Sequence, residues 1–204
     1  MFTTMIPNRL SSQGGNTDLP ARITRAASKQ TYYTFRLLAD RDRVQDAFRA
    51  YAYFRWLDDL LDCNSGTKQD KHDMINRQLA LLEACYRGES PVDLSLEEQM
   101  LVDLVRNDEE KHSGLQIYLR NMMRVMSFDV ERCGRVISHA ELTEYTYLLS
   151  TAVTEVLFYL IGHHDPSPCG ETRYHAVLGA QWAIGARNTR CPRKTKERQD
   201  YRWP

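Results

Sequence analysis

The sequence predicts an all-α protein, and three observations carry that prediction. Apolar residues recur at helical spacing from Ala21 almost to the end of the chain. No stretch alternates apolar and polar residues for long enough to build a sheet. Chain-breaking residues gather in only four places, Asn64-Ser65-Gly66, Gly88 to Pro91, Cys133-Gly134 and His163 to Gly170, which leaves long unbroken segments between them. The 204 residues suit one compact domain. Their 27 basic and 27 acidic side chains argue against a nucleic-acid partner, whose binding domains carry a basic excess.

Helices are predicted over 21–38, 41–62, 69–87, 94–106, 111–129, 139–161 and 171–186. Pro91, Pro166 and Pro168 lack a backbone donor and stop helices where they stand. Asp93 and Ser138 are the expected N-caps of their helices, Ser138 with Glu141 three residues on in a capping-box pattern. The most apolar run, Tyr145 to Ile161, contains Glu155 and several Thr and Ser. It falls short of the roughly 20 apolar residues a membrane span needs, so a buried core helix is expected and no transmembrane segment. Residues 1–20 are rich in Ser, Thr, Gly and Asn without a signal-peptide core, which predicts a disordered leader. Residues 187–204 hold seven basic and two acidic side chains and no amphipathic period, which predicts an irregular basic tail after a helical domain of 21–186. Five widely spaced cysteines with no CxxC pair fit a reducing cytoplasm.

One helix concentrates the chemistry. In RDRVQDAFRAYAYFRWLDDLLD (41–62), Val44, Phe48, Tyr51, Arg55, Asp58 and Asp62 fall within about 40° of one line. The opposite side, with Tyr53, Trp56, Leu57, Leu60 and Leu61, is also apolar, so the helix reads as buried all round. Asp58 and Asp62 then lie inside a bundle, where like charges four residues apart repel and desolvation penalises each ion. Two partners fit. Arg55 reaches Asp58 or Asp59 as an ordinary ion pair, or a divalent cation sits on the hard oxygens of one helical face, as Mg²⁺ does with one or two carboxylates plus substrate phosphate oxygens.

The same stretch resembles the opening of the squalene/phytoene synthase family. Ser28-Lys29, Leu37-Leu38, Tyr51-Ala52-Tyr53-Phe54-Arg55 and Asp58-Asp59…Asp62 stand in register with that family's first motifs. HAELTEYTYLLSTAVTEVLFYLIG is similar to a second family segment, with Tyr145 and Tyr147 on its tyrosines. The resemblance implies an isoprenoid-synthase helical bundle with a deep apolar cavity. It implies head-to-head condensation of two prenyl diphosphates (farnesyl or geranylgeranyl diphosphate) with Mg²⁺ as cofactor, and a cytoplasmic location with peripheral membrane contact for product release. Carried over residue by residue, Asp58 and Asp62 ligate Mg²⁺. Ser28 and Arg55 hold diphosphate, and Tyr51, Tyr145, Gln181 and Arg187 contact substrate.

The sequence departs from the family at its second acidic motif. With Gln181 and Arg187 in register, the two aspartates fall on Asn188 and Pro192, a neutral oxygen ligand and no ligand. Ser150 to Thr154 replaces a glycine-containing turn, and β-branched threonines there narrow a groove that glycine would open. Three accounts fit: a partial or frameshifted reading of a longer enzyme, a non-catalytic isoprenoid-binding or scaffold relative, or an enzyme with a reduced metal site. Other signals read as structure. HHDPSPC (163–169) has no zinc spacing, Asp108 to His112 reads as a solvated turn and helix start, and Met122, Met123 and Met126 read as core.

Overall fold

The computed structural model describes residues 19–63, 66–162 and 170–190. Among them lie eight helices and no strand: α1 (Leu19–Ala27), α2 (Lys29–Leu38), α3 (Val44–Cys63), α4 (Lys68–Tyr86), α5 (Leu96–Arg106), α6 (Gly114–Glu131), α7 (His139–Leu160) and α8 (Gly170–Arg190). The all-α expectation stands. α3 is the hub, packed against α1, α2 and α5 and touching α6 and α7; α4 lies on α5 and α6, α6 on α7, and α7 on α8. Ala47, Ala50, Tyr53, Leu57 and Leu61 form the buried face of α3, at the i, i+3, i+4 spacing that keeps one stripe inward.

Local chemistry corrects several predicted ends. The segment 21–38 is two helices, because Ser28 adopts an extended conformation (φ −153°) and its hydroxyl caps α2 by accepting from Thr31 N–H. Ser95, not Asp93, caps α5, in a capping box with Glu98; Asp93 has a φ of +56° and stands outside the helix. α6 starts at Gly114 rather than at 111, since His112 has a φ of +58° and Ser113 is the cap. Ser138 caps α7 with Glu141, as expected. α1 begins inside the expected leader, at Leu19, and α8 continues into the expected tail, to Arg190. Residues 1–18, the HHDPSPC segment and 191–204 lie outside the described residues.

α7 is a core helix on one side only. Ala152, Val156, Tyr159 and Leu160 are buried, while Tyr147, Val153 and Leu157 are exposed. No helix among the described residues is long and apolar enough to cross a membrane.

Two features lock the frame. Tyr53 donates to Gln78 Oε1 (3.0 Å), and Gln78 Nε2 donates to Glu98 Oε1 (2.9 Å), all three side chains being buried. Glu98 also accepts from Ser95 N–H (3.0 Å) and Arg77 Nε (3.2 Å). Burial pushes its carboxyl pKa up, but the hydrogen bonds from Ser95 and Gln78 and the Arg77 guanidinium outweigh that and hold it below the usual range. At Gly114 a Cβ would stand 2.3 Å from the Glu155 carbonyl oxygen, so the start of α6 approaches α7 at glycine distance. Gly114→Ala should lower stability by about 1–3 kcal/mol, because overpacking outweighs a helix-propensity gain of up to about 1 kcal/mol. A lower urea midpoint checks it. Gln78→Leu should cost about 1–3 kcal/mol by the same measurement, since it strips partners from both Tyr53 and Glu98.

Candidate functional site

The last two turns of α3 carry Asp58 and Asp62 to the rim of the bundle, which corrects the expectation that both point inward. Asp62 is exposed, and the Asp58 side chain is 48% exposed. The predicted stripe is covered only where α2 crosses it. Tyr32 stacks on Phe48 at 5.3 Å between ring centres, and Phe35 meets Phe48 and Tyr51 edge-on. Beyond Tyr51 the stripe emerges, so Arg55, Asp58 and Asp62 border solvent instead of the core.

They border it beside a hollow. A cleft of about 310 Å³ opens between the end of α3, the start of α4 and the end of α6. Asp58, Leu61 and Asp62 line one wall, Gly66, Lys68 and Lys71 a second, and Met126, Asp129, Val130 and Cys133 the third. Asp58, Asp62 and Asp129 thus line the same cleft as Lys68 and Lys71, with Leu61, Met126 and Val130 as its apolar lining. Burial pushes the Asp58 carboxyl pKa up, and the Asp62 charge adds to that; Asp59 and Asp129 act the same way, and Arg55 only partly opposes them.

Arg55 is committed chiefly to Asp59, through Nε (3.1 Å) and Nη2, and reaches Asp58 more loosely (3.4 Å). Both readings of the helix therefore have a place in the fold: the ion pair forms, mainly with Asp59, and Asp58 keeps a face to the cleft. Asp129 pairs with Arg132, whose guanidinium lies 5.3 Å from the ring centre of Tyr145, and Tyr145 packs on Phe128 at the same separation. Lys68 pairs with Glu131 (2.7 Å) at the outer lip.

The remaining expected site residues stand apart from the cleft lining. Ser28 caps α2. Tyr51 packs on Phe35. Gln181 Nε2 donates to the Thr143 carbonyl (3.2 Å) and to Thr146 Oγ1 (3.4 Å), tying α8 to α7. Arg187 is on α8, with its side chain outside the described residues. The structure therefore unites Asp58 and Asp62, sets Tyr145 one layer behind through Arg132, and leaves Ser28, Tyr51 and Gln181 on other contacts. Sequence reasoning missed Lys68 and Lys71, and marked Asp129, with Met126, only through the family resemblance, in which the nearby helix lines the cavity. The lysines carried no signal, because they stand on a different helix.

Mg²⁺ fits this donor set in a particular way. Among the described residues no three His, Cys, Asp or Glu side chains converge closely enough to hold an ion by themselves. Carboxylates set in pairs, with space beside them, suit an ion that completes its shell with substrate oxygens and water.

The pattern of the squalene/phytoene synthase family matches residues 24–184. No curated protein and no solved structure matches the chain. The family match spans α2 to α7 entirely, including all three walls of the cleft, and on that basis the chain belongs to the squalene/phytoene synthase family.

Proposed function

We propose that the α3–α4–α6 cleft binds the diphosphate group of a prenyl diphosphate together with Mg²⁺, in a prenyltransferase-like protein whose reaction is head-to-head condensation. The observation that carries this reading is the meeting of Asp58, Asp62 and Asp129 with Lys68 and Lys71 in one cleft. Clustered carboxylates repel one another until a cation joins them, and the raised Asp58 pKa comes from burial first and from that repulsion second. Lys71 and Lys68, the latter shared with Glu131, line the same cleft and would give phosphoryl oxygens cationic partners. Bound there, Mg²⁺ supplies Lewis-acid stabilisation to a departing diphosphate. Asp58 and Asp62 orient the complex, and Leu61, Met126 and Val130 give the first isoprene carbons an apolar floor.

The size of the cleft decides how far geometry alone goes. About 310 Å³ is at the low end of ligand pockets, which run from roughly 300 to 1,000 Å³, so it suits one headgroup and the start of its chain. Condensation of two substrates rests on family membership. A second reading, diphosphate binding without turnover, is favoured by Asn188 and Pro192 standing where the family's second pair of aspartates falls.

Pyrophosphate release from farnesyl or geranylgeranyl diphosphate should require Mg²⁺, and Asp58→Asn should cut kcat/KM by about 100-fold or more. Binding has its own readout in Cys133, an exposed thiol lining the cleft. Mg²⁺ with inorganic pyrophosphate should slow its alkylation, read by peptide mass mapping, and Asp58→Asn should abolish the protection. Protection without pyrophosphate release would establish the second reading; neither would sink both.

The pKa of Asp58 generates a pH prediction. A carboxyl whose folded-state pKa is raised favours folding at low pH, and that contribution is lost as pH rises through the folded pKa. Without metal, Asp58→Asn should therefore raise the melting temperature at neutral pH. A carboxyl-carbon NMR titration should place the Asp58 midpoint above the ordinary aspartate value, and Asp62→Asn should move it down.

A further inference from the structure

The two lysines of the cleft are in different electrostatic states. Lys71, partly buried at the start of α4, forms no ion pair among the described residues. Lys68, three residues before it, lines the same cleft, but its ammonium is engaged at the end of α6. There Nζ donates to Glu131 Oε2 (2.7 Å) and to the Glu131 carbonyl oxygen (3.3 Å). Glu131 itself stands outside the cleft lining.

The Glu131 carboxylate is a well-partnered competitor for that ammonium. His72 Nε2 stands 2.7 Å from Oε1, the oxygen Lys68 does not use. The hydrogen bond from Lys68 holds the Glu131 carboxyl pKa below the usual range against desolvation, and the charges of Lys68, His72 and Arg135 act with it. The Lys68 and Glu131 side chains are about half exposed, at 53% and 48%. An exposed pair of this kind is held weakly, and a lysine carries its charge on a flexible four-carbon stem. Lys68 can therefore leave Glu131 for a stronger anion in the cleft it lines. His72 stays beside the carboxylate when it does, so the released Glu131 is not left bare.

We propose that Glu131 is a positioning residue that limits how tightly the cleft holds a diphosphate, by competing with it for Lys68. Lys71 is the resident cationic contact, and Lys68 is shared between Glu131 and the phosphoryl oxygens. As diphosphate leaves, Glu131 takes Lys68 back, so the contact that tightens binding also assists release. The inference rests on the diphosphate reading of the cleft and adds to it an acid outside the lining that sets its affinity.

Isothermal titration calorimetry of the full chain with inorganic pyrophosphate, at fixed Mg²⁺, tests this through a double-mutant cycle. Glu131→Gln should tighten binding about threefold, with a ceiling of about fivefold set by the strength of an exposed ion pair. Glu131→Ala should do the same, and at a half-exposed position both should fold normally. Lys68→Gln should weaken binding, and Lys71→Gln should weaken it further, by about 10-fold or more, because it removes the contact that has no competitor. In the Lys68→Gln background, Glu131→Gln should have no effect. That result separates exchange of Lys68 from the mere loss of a negative charge near the cleft, and damage to the α4–α6 contact would not raise affinity. Unchanged affinity in Glu131→Gln and Glu131→Ala, with the wild-type helical circular dichroism signal, would overturn the proposal. So would equal tightening with and without Lys68, or a larger loss for Lys68→Gln than for Lys71→Gln. Absence of pyrophosphate binding by the wild type would sink the diphosphate reading itself, and this inference with it.

Discussion

Carboxylates crowded at one junction of helices set the terms for the candidate site of this bundle. Asp58 and Asp62 come from successive turns of α3, and Asp129 faces them from α6. Each nearby arginine is drawn to one acid in particular: Arg55 mainly to Asp59, Arg132 to Asp129. Asp58 is left with the looser contact, half-buried and beside a second negative charge, and so holds its proton more tightly than an ordinary aspartate. Such a pair of neighbouring acids on α3 is a cost to the folded protein, since burial and the Asp62 charge both disfavour the ionised form of Asp58.

That cost is tolerable because the surrounding frame is rigid. Behind the acids, the buried stripe of α3 is packed into the core, and the Tyr53–Gln78–Glu98 chain ties α3 to α4 and α5 with its polar groups partnered. Gly114 lets α6 start against α7 at glycine distance, setting the position of the helix that delivers Asp129 and Cys133. Polarity is segregated along α3. Its far end carries the acids, and its near end is covered by α2, whose outer face is basic and apolar.

The bundle was legible from periodicity, because amphipathic helices announce themselves through neighbours three and four residues apart. Helix ends were legible where a cap obeys a short local rule, as at Ser138 with Glu141. They were misread where backbone conformation decided: the left-handed φ of Asp93 and His112 moved two starts, and Ser28, which family resemblance assigned to diphosphate, interrupts a helix and caps the next. Tyr51 and Gln181 similarly meet aromatic and helix-packing partners.

What the sequence determined by itself was the all-α class, the shared face of Asp58 and Asp62, and the family to which they belong, since all three depend on residues close in the chain or on motif strings. Only the tertiary structure decided whether that face looks inward or outward. A helix apolar on several sides can bury any of them, and the outcome depended on where α2 crosses and where α4 and α6 leave space. Lys68, Lys71 and Asp129 entered the site for the same reason: proximity across helices is a property of packing, and no spacing along one helix encodes it.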